Sequence, residues 1–181
     1  GLRDNHPDIY HRVKATVLGC GYQMGPGRFV SQAVALSGGK YRPELDEATE
    51  VVYNYRNTHP KVQAYWHRHQ GFLLNSTCNK DKSHRVQLAS GRWLEYYEPV
   101  FALVEDNRTG RKRREIFVSQ LWGMPRGRMY GGKITENEMQ ATGYDVLRDA
   151  WCAIADNGYA VRWTLYDEFV SLLPEASAQE D

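Results

Sequence analysis

Apolar positions along this chain change period several times, and each change marks out an element. After Asn5-His6-Pro7 the run DIYHRVKATVLGCGY has helical spacing, opened by a proline near the first turn and closed by Gly25-Pro26-Gly27. Lys14, Leu18 and Tyr22 follow at four-residue steps, which predicts that one face carries all three. Helical spacing returns over 43–56, with Val51, Val52 and Tyr55 on one apolar side, and over 60–74, with Val62, Trp66 and Leu73. The stretch 75–91 is polar and aperiodic and predicts a loop. Aromatic and β-branched residues dominate 92–105 and 115–121, predicting two strands joined by the basic connection DNRTGRKRR. Thr135 with Glu138 forms a capping-box pattern and predicts the start of a helix running to about Asp156. Its apolar stripe is Met139, Val146, Ala150 and Ile154, while Gln140 and Tyr144 share another face. Finally Val161, Trp163 and Leu165 alternate with Arg162, Thr164 and Tyr166, and Phe169, Val170, Leu172 and Leu173 return. This predicts a hairpin with one buried face and Asp167-Glu168 at its tip. Helices, a hairpin, a helix and a second hairpin in that order predict an α+β fold.

Composition narrows the picture only a little. A chain of 181 residues with 41% hydrophobic content is long enough to bury a core as one domain or one piece of a larger protein. With 23 basic and 22 acidic residues the net charge is +1, so contact with a polyanion has to come from local clusters. Cys20, Cys78 and Cys152 are widely spaced and odd in number, the pattern of reduced thiols in a cytoplasmic compartment. No run approaches the roughly 18 apolar residues of a membrane span, and the expectation is a protein without membrane contact. Gly1 in place of an initiator methionine fits a processed chain or a piece of a longer one.

Three features carry candidate chemistry. Two acids at a hairpin tip are common in a solvated turn; held rigidly, Asp167 is also a ligand of the kind Mg²⁺ takes, since that ion prefers hard oxygens. Lys14 beside an aromatic at a glycine-softened helix end suits a nucleotide, the cation for its phosphates and the ring for its base. Arg108, Arg111, Lys112, Arg113 and Arg114 put five basic residues in a hairpin connection, either solvated or set against a phosphate backbone, and Arg126 and Arg128 lie close behind. His67 and His69 point to different sides of a helix and predict no metal site. The five tryptophans, Trp66, Trp93, Trp122, Trp151 and Trp163, are read as structural.

In order, KATVLGCGYQMG (14–25), YRNTHPKVQAYW (55–66), LASGRWLEY (88–96), YGGKITENEMQATGYDVLRDA (130–150) and LYDEFVSLLPE (165–175) cover nearly the whole chain. Together they resemble the fingers and distal palm of family A DNA polymerases of the bacteriophage type. The resemblance implies fingers helices over 1–75 and a palm segment with two hairpins and a long helix over 76–181. It implies that Lys14 contacts the incoming triphosphate and acts as an acid, that Leu18 packs near the nucleotide sugar, and that Tyr22 stands beside the templating base. Gln140 then contacts the primer–template minor groove, with Asn137 a looser match in the same segment. Asp167 is the metal-binding palm aspartate, Glu168 its acidic neighbour, and Tyr166 takes the place of a histidine that touches the primer strand. The implied partners are primer–template DNA and deoxynucleoside triphosphates, with Mg²⁺ as cofactor and the bacterial host cytoplasm as location.

Departures from the pattern accompany it. Tyr10 stands where the family has an arginine four residues before Lys14, and Gln23 stands where a glycine follows the tyrosine. The family's other essential aspartate belongs to a DxSxxExR motif, which these 181 residues do not contain. Two-metal phosphoryl transfer needs carboxylates on both ions. The expectation is therefore a polymerase portion that works only with an upstream fragment or subunit. The rival is a non-catalytic DNA-binding or interaction module derived from a polymerase.

Overall fold

The computed structural model describes residues 1–106, 109–119, 124–165 and 168–172. It is α+β: six helices, a four-stranded antiparallel sheet and a separate two-stranded hairpin among the described residues. A short α1 (Leu2–Asn5) precedes α2 (Pro7–Cys20), which opens at a proline in its first turn and stops where Gly21 begins a tight turn. Tyr22 therefore lies beyond the helix, in that turn, rather than on the helical face of Lys14 and Leu18.

The Gly-Pro-Gly read as a break starts another helix, α3 (Pro26–Leu36): Gly25 is its extended N-cap and Pro26 fills the first-turn position that needs no N–H donor. Phe29 and Ala33, one turn apart, bury against Ala15 and Cys20 of α2 and against Ala48, Val51 and Val52 of α4 (Leu45–Thr58). These three helices share the first core.

The second core joins α5, the sheet and α6. Helix α5 (Pro60–Cys78) runs a full turn past its predicted end, burying Leu73 and Thr77, whose hydroxyl donates to the Leu73 carbonyl at 2.7 Å. Instead of a loop, 83–87 forms β1 (Ser83–Gln87): His84 and Val86 are buried and Arg85 and Gln87 exposed, a period of two concealed because one inward position is a histidine. The strands then follow in chain order, β1 against β2 (Trp93–Glu105), β2 against β3 (Lys112–Ser119) and β3 against β4 (Gly127–Met129). A bulge between Tyr97 and Val100 bends the long β2. Lys112, Arg113 and Arg114 belong to β3, not to a connecting loop, and Arg114 lies 3.9 Å over the Phe101 ring. Tyr96, Ile116, Val118 and Met129 pack with Leu73 of α5 and Ile134 of α6 (Gly131–Asp156).

Helix α6 begins four residues before the Thr135 box. Thr135 is buried inside the helix, its hydroxyl donating back to the Gly131 carbonyl at 3.0 Å, so it caps nothing. What sets the start is close approach. A Cβ on Gly131 would overlap the Trp66 carbonyl oxygen, and one on Gly132 would lie 2.5 Å from the Tyr22 carbonyl oxygen. The two freed N–H groups donate to Gln70 Oε1 and Gln23 Oε1, each at 2.9 Å. Trp66, 1% exposed, completes the junction by donating its indole N–H to the Gly21 carbonyl at 2.8 Å.

Two expected apolar faces are open. Trp163 and Leu165 of β5 (Val161–Leu165) are 60% and 54% exposed, and Met139 and Val146 of α6 are also exposed, because few residues of the described chain cover this side. Trp93 and Trp151 are likewise exposed, so of the described tryptophans only Trp66 is a core residue; Trp122 lies outside the described residues. Strand β5 pairs with β6 (Glu168–Ser171) in the expected antiparallel hairpin. Among the described residues, no helix is long and apolar enough to cross a membrane.

The junction makes opposite predictions for two glycines of one helix. Gly132→Ala must push the Tyr22–Gln23 backbone aside and should lose about 3 kcal/mol, at the upper end of overpacking costs. Gly143→Ala, with open space around its Cβ, should gain about 1 kcal/mol from helix propensity. Urea unfolding of both variants against wild type reads the signs directly.

Candidate functional site

Lys14 and Leu18 project from the exposed side of α2, Leu18 at 46% exposure, with Ile9, Val13 and Val17 forming an apolar stripe beside them. Lys14 Nζ lies 6.0 Å from the centroid of the Tyr10 ring, so an aromatic flanks the lysine cation.

Tyr22 and Gln23 form the turn that ends this helix. Gln23 has φ 67°, a left-handed conformation costly for a residue with a side chain and natural for a glycine. The structure shows what offsets that cost here: the Gln23 amide oxygen accepts the Gly132 N–H and ties the turn to α6.

Asn137 and Gln140 come together in a groove between α6 and β2, lined also by Arg92, Leu94, Tyr96 and Tyr144, with a volume of about 440 Å³. Asn137 Nδ2 donates to the Tyr96 hydroxyl at 3.1 Å, while Gln140 is exposed and held only by a 3.4 Å contact to Glu136. Lys14, Leu18 and Tyr22 do not line this groove. Gln140 also borders a second, apolar cleft whose far wall is Phe169 of β6, next to the exposed Glu168.

Two polar clusters, each built on a carboxylate of α6, are absent from the sequence reading. In one, Asp145 is buried at 3% exposure; Ser90 Oγ donates to its Oδ2 at 2.5 Å and Arg92 Nε to its Oδ1 at 2.9 Å. The Ser90 hydrogen bond, followed by the Arg92 interaction, holds its carboxyl below the usual range. Arg92 further donates to the Ala141 carbonyl at 3.2 Å, fixing its guanidinium at the groove's rim. LASGRWLEY contains Arg92 and Ser90, but their partner stands more than fifty residues away, so no local spacing announces the cluster.

In the other, Tyr65 donates to Glu138 Oε1 at 2.6 Å and His69 Nε2 lies 2.9 Å from Glu138 Oε2, close but not aligned as a hydrogen bond. Burial, reinforced by the Glu138 hydrogen bond, pushes the Tyr65 phenol up to about 12. His84 stacks on Tyr96 with ring centroids 6.2 Å apart, and its Nδ1 meets Ser76 Oγ at 3.3 Å. The Arg68 guanidinium sits 4.7 Å over the Tyr65 ring.

Tyr166 and Asp167, the remaining site residues expected from the sequence, lie outside the described residues. Among the described residues no group of three His, Cys, Asp or Glu side chains is placed to hold a metal ion. Glu168 and its described surroundings thus do not by themselves make up a magnesium site.

No family model matches the chain, and no solved structure matches it. A DNA polymerase of Bacillus phage SP02 does, at 29% identity over 190 residues. The chain is polymerase-related. The match takes in 96% of this chain and 28% of the phage polymerase, so the chain spans less than a third of that relative's length.

Both buried histidines have lowered pKa values, chiefly from burial; Glu138 opposes and Arg68 adds to the effect at His69, while His69 adds and Asp81 opposes at His84. An unfolded histidine titrates near about 6.5. Below that pH the unfolded chain takes up protons the folded chain refuses, so stability falls as pH drops from about 6.5 toward the lower folded values. The melting temperature at pH 5.5 should lie below that at pH 7.5, and His84→Gln should flatten the difference. An unchanged difference in both His69→Gln and His84→Gln would contradict this account.

Proposed function

We propose that the chain is the C-terminal portion of a family A DNA-directed DNA polymerase, with fingers over 1–75 and distal palm over 76–181. It takes part in template-directed nucleotidyl transfer from deoxynucleoside triphosphates to a primer 3′ end. The observation that carries this reading is the similarity to the phage polymerase along 96% of the chain, in a sequence whose Lys14, Tyr22, Gln140 and Asp167 occur in the family's order.

In this reading Lys14 receives the triphosphate, supported by its exposure on α2, and Leu18 and Tyr22 bracket the nucleotide and the templating base. Gln140, exposed in its groove beside Arg92, contacts the minor groove of the primer–template. Asn137 already donates to Tyr96, so its role is to shape the groove. Asp167 and Glu168 are the acidic pair, with Tyr166 toward the primer, and Mg²⁺ is the ion assigned to Asp167. The second catalytic aspartate comes from an upstream polymerase fragment or subunit, since no DxSxxExR motif stands in these residues. The host cytoplasm is the expected location.

Primer extension tests the reading. With a primed template, Mg²⁺ and all four deoxynucleotides, the chain should extend the primer once combined with the upstream polymerase segment. Asp167→Ala should reduce extension by at least about 10³-fold, the order of losing a group that stabilises the transferring phosphate, with template binding largely retained. Near-normal turnover of Asp167→Ala would overturn the catalytic assignment. DNA binding without extension in any combination would favour the non-catalytic module instead.

A further inference from the structure

We propose that Glu138 and Asp145 are positioning residues: by clamping α6 to α5 and to the turn between β1 and β2, they set the direction and rotation at which the helix presents Asn137, Gln140 and Tyr144 to the groove. The need for such clamps comes from what α6 lacks. Its start is seated by apolar packing, through Ile134 in the second core. From Glu136 to Asp156, however, the one buried residue is Asp145, while Met139, Tyr144, Val146 and Trp151 are exposed. Most of the helix thus has no hydrophobic seat in the described chain. Apolar contact is also non-directional and would leave the rotation of a helix loosely defined.

Spacing puts the two carboxylates where they can supply what is missing. Asn137, Gln140, Ala141 and Tyr144 recur at helical steps and line the groove. Glu138 and Asp145 follow Asn137 and Tyr144 by one residue each, about 100° around the helix, and stand two turns apart on a single stripe. The carboxylate stripe runs parallel to the groove stripe, so fixing one aims the other.

Each carboxylate meets a preassembled partner. Glu138, its side chain 12% exposed, accepts the Tyr65 phenol at 2.6 Å and lies 2.9 Å from His69 Nε2. The Tyr65 and His69 rings already meet edge to face on α5, with centroids 4.6 Å apart. Asp145 is held by Ser90 and Arg92, from a turn closed by the Leu88 N–H on the Arg92 carbonyl at 2.8 Å and the Gly91 N–H on the Leu88 carbonyl at 2.9 Å. Leu88 is buried and seats that turn. Hydrogen bonds weaken steeply off line, so these contacts hold an angle as well as a distance. Buried charged groups add little net stability over apolar residues of equal volume, and their best-attested use is to fix register. That the groove's ligand is primer–template DNA rests on the polymerase reading; the clamps do not.

The native chain carries the probes for a test. Cys78 ends α5 and Cys152 lies on α6, both exposed, whereas Cys20 is buried and its thiol pushed up to about 11 by that burial, so it resists labelling. Spin labels on Cys78 and Cys152 report the distance between the two helices through their dipolar coupling. A swing of about 10°, the tolerance of a well-held site, moves residue 152, roughly 30 Å along the helix from its start, by about 5 Å. Wild type should give one narrow distance distribution, and Glu138→Leu and Asp145→Leu should each broaden it on the order of that 5 Å. Glu138→Gln, which still accepts from Tyr65, should stay narrow. Should a leucine variant fail to fold, Tyr65→Phe combined with Ser90→Ala removes one bond from each clamp with little change of volume, and should broaden the distribution likewise. Wild-type widths in the folded variants overturn the proposal, as does a Glu138→Gln distribution as broad as that of Glu138→Leu.

Binding supplies the second arm. With the chain combined with the upstream polymerase segment, Gln140→Ala should weaken primer–template binding on the order of fivefold, the size of one neutral hydrogen bond. In the Glu138→Leu background the same change should cost little, because the side chain is no longer aimed; losses that simply add would overturn the positioning role. Broadened distances without primer–template binding in any combination would keep the clamps and sink the polymerase reading. Wild-type distances in every variant together with normal extension would do the reverse.

Discussion

Everything on the candidate polymerase face hangs from one close contact: the first two residues of α6 lie against the backbone of Trp66 on one side and of Tyr22 and Gln23 on the other. Only glycine permits it at both positions, because any Cβ there would meet backbone rather than a side chain able to move. The approach brings the free N–H groups of the helix start onto Gln70 and Gln23, so donors left unpaired at every helix N-terminus become the bolts that join three elements. From this joint α6 runs out with Asn137 and Gln140 two turns along it. The turn at Tyr22 and the groove at Gln140 therefore share one reference point.

The periodic parts of the fold were legible. Helices α2, α4 and α5, the strands β2 and β3, the body of α6 and the β5–β6 hairpin all follow from spacing, because their packing obeys the local pattern. Elements were missed where tertiary need overrode it. Helix α3 hid behind Gly-Pro-Gly, which here is an N-cap and first turn. Strand β1 hid because its inward residue is His84, polar by type and buried by position. The capping box at Thr135 was a true local signal outvoted by the glycines four residues earlier. The apolar stripes of β5 and α6 were read correctly as stripes, yet a sequence cannot say whether anything covers them.

The site shows the same division. In KATVLGCGYQMG the four-residue step from Lys14 to Leu18 is visible in one dimension, whereas Tyr22 falls in the turn beyond the helix. The groove is not: Arg92 matters because Asp145 lies behind it, fifty-three residues along the chain. Gln23 is instructive in between. Its departure from glycine looks like a defect in sequence, and its side-chain bond to Gly132 turns it into part of the joint.

The joint also fixes an order of assembly. Phe29, Ala33, Val51 and Val52 complete the first core with residues no later than position 52, so α2, α3 and α4 dock as soon as they exist. The bond from Gly132 to Gln23 closes a loop of 109 residues, and that from Gly131 to Gln70 one of 61. Long loops close late, since their entropy is lost before distant contacts repay it. On the ribosome the helical core thus forms first, its Tyr22 turn held through Trp66 and Arg56 but lacking its bond to α6 until the whole sheet and the start of that helix have emerged. A pause or cleavage within the sheet leaves the α2–α4 core without the bond from Gly132 that fixes the Gln23 side chain.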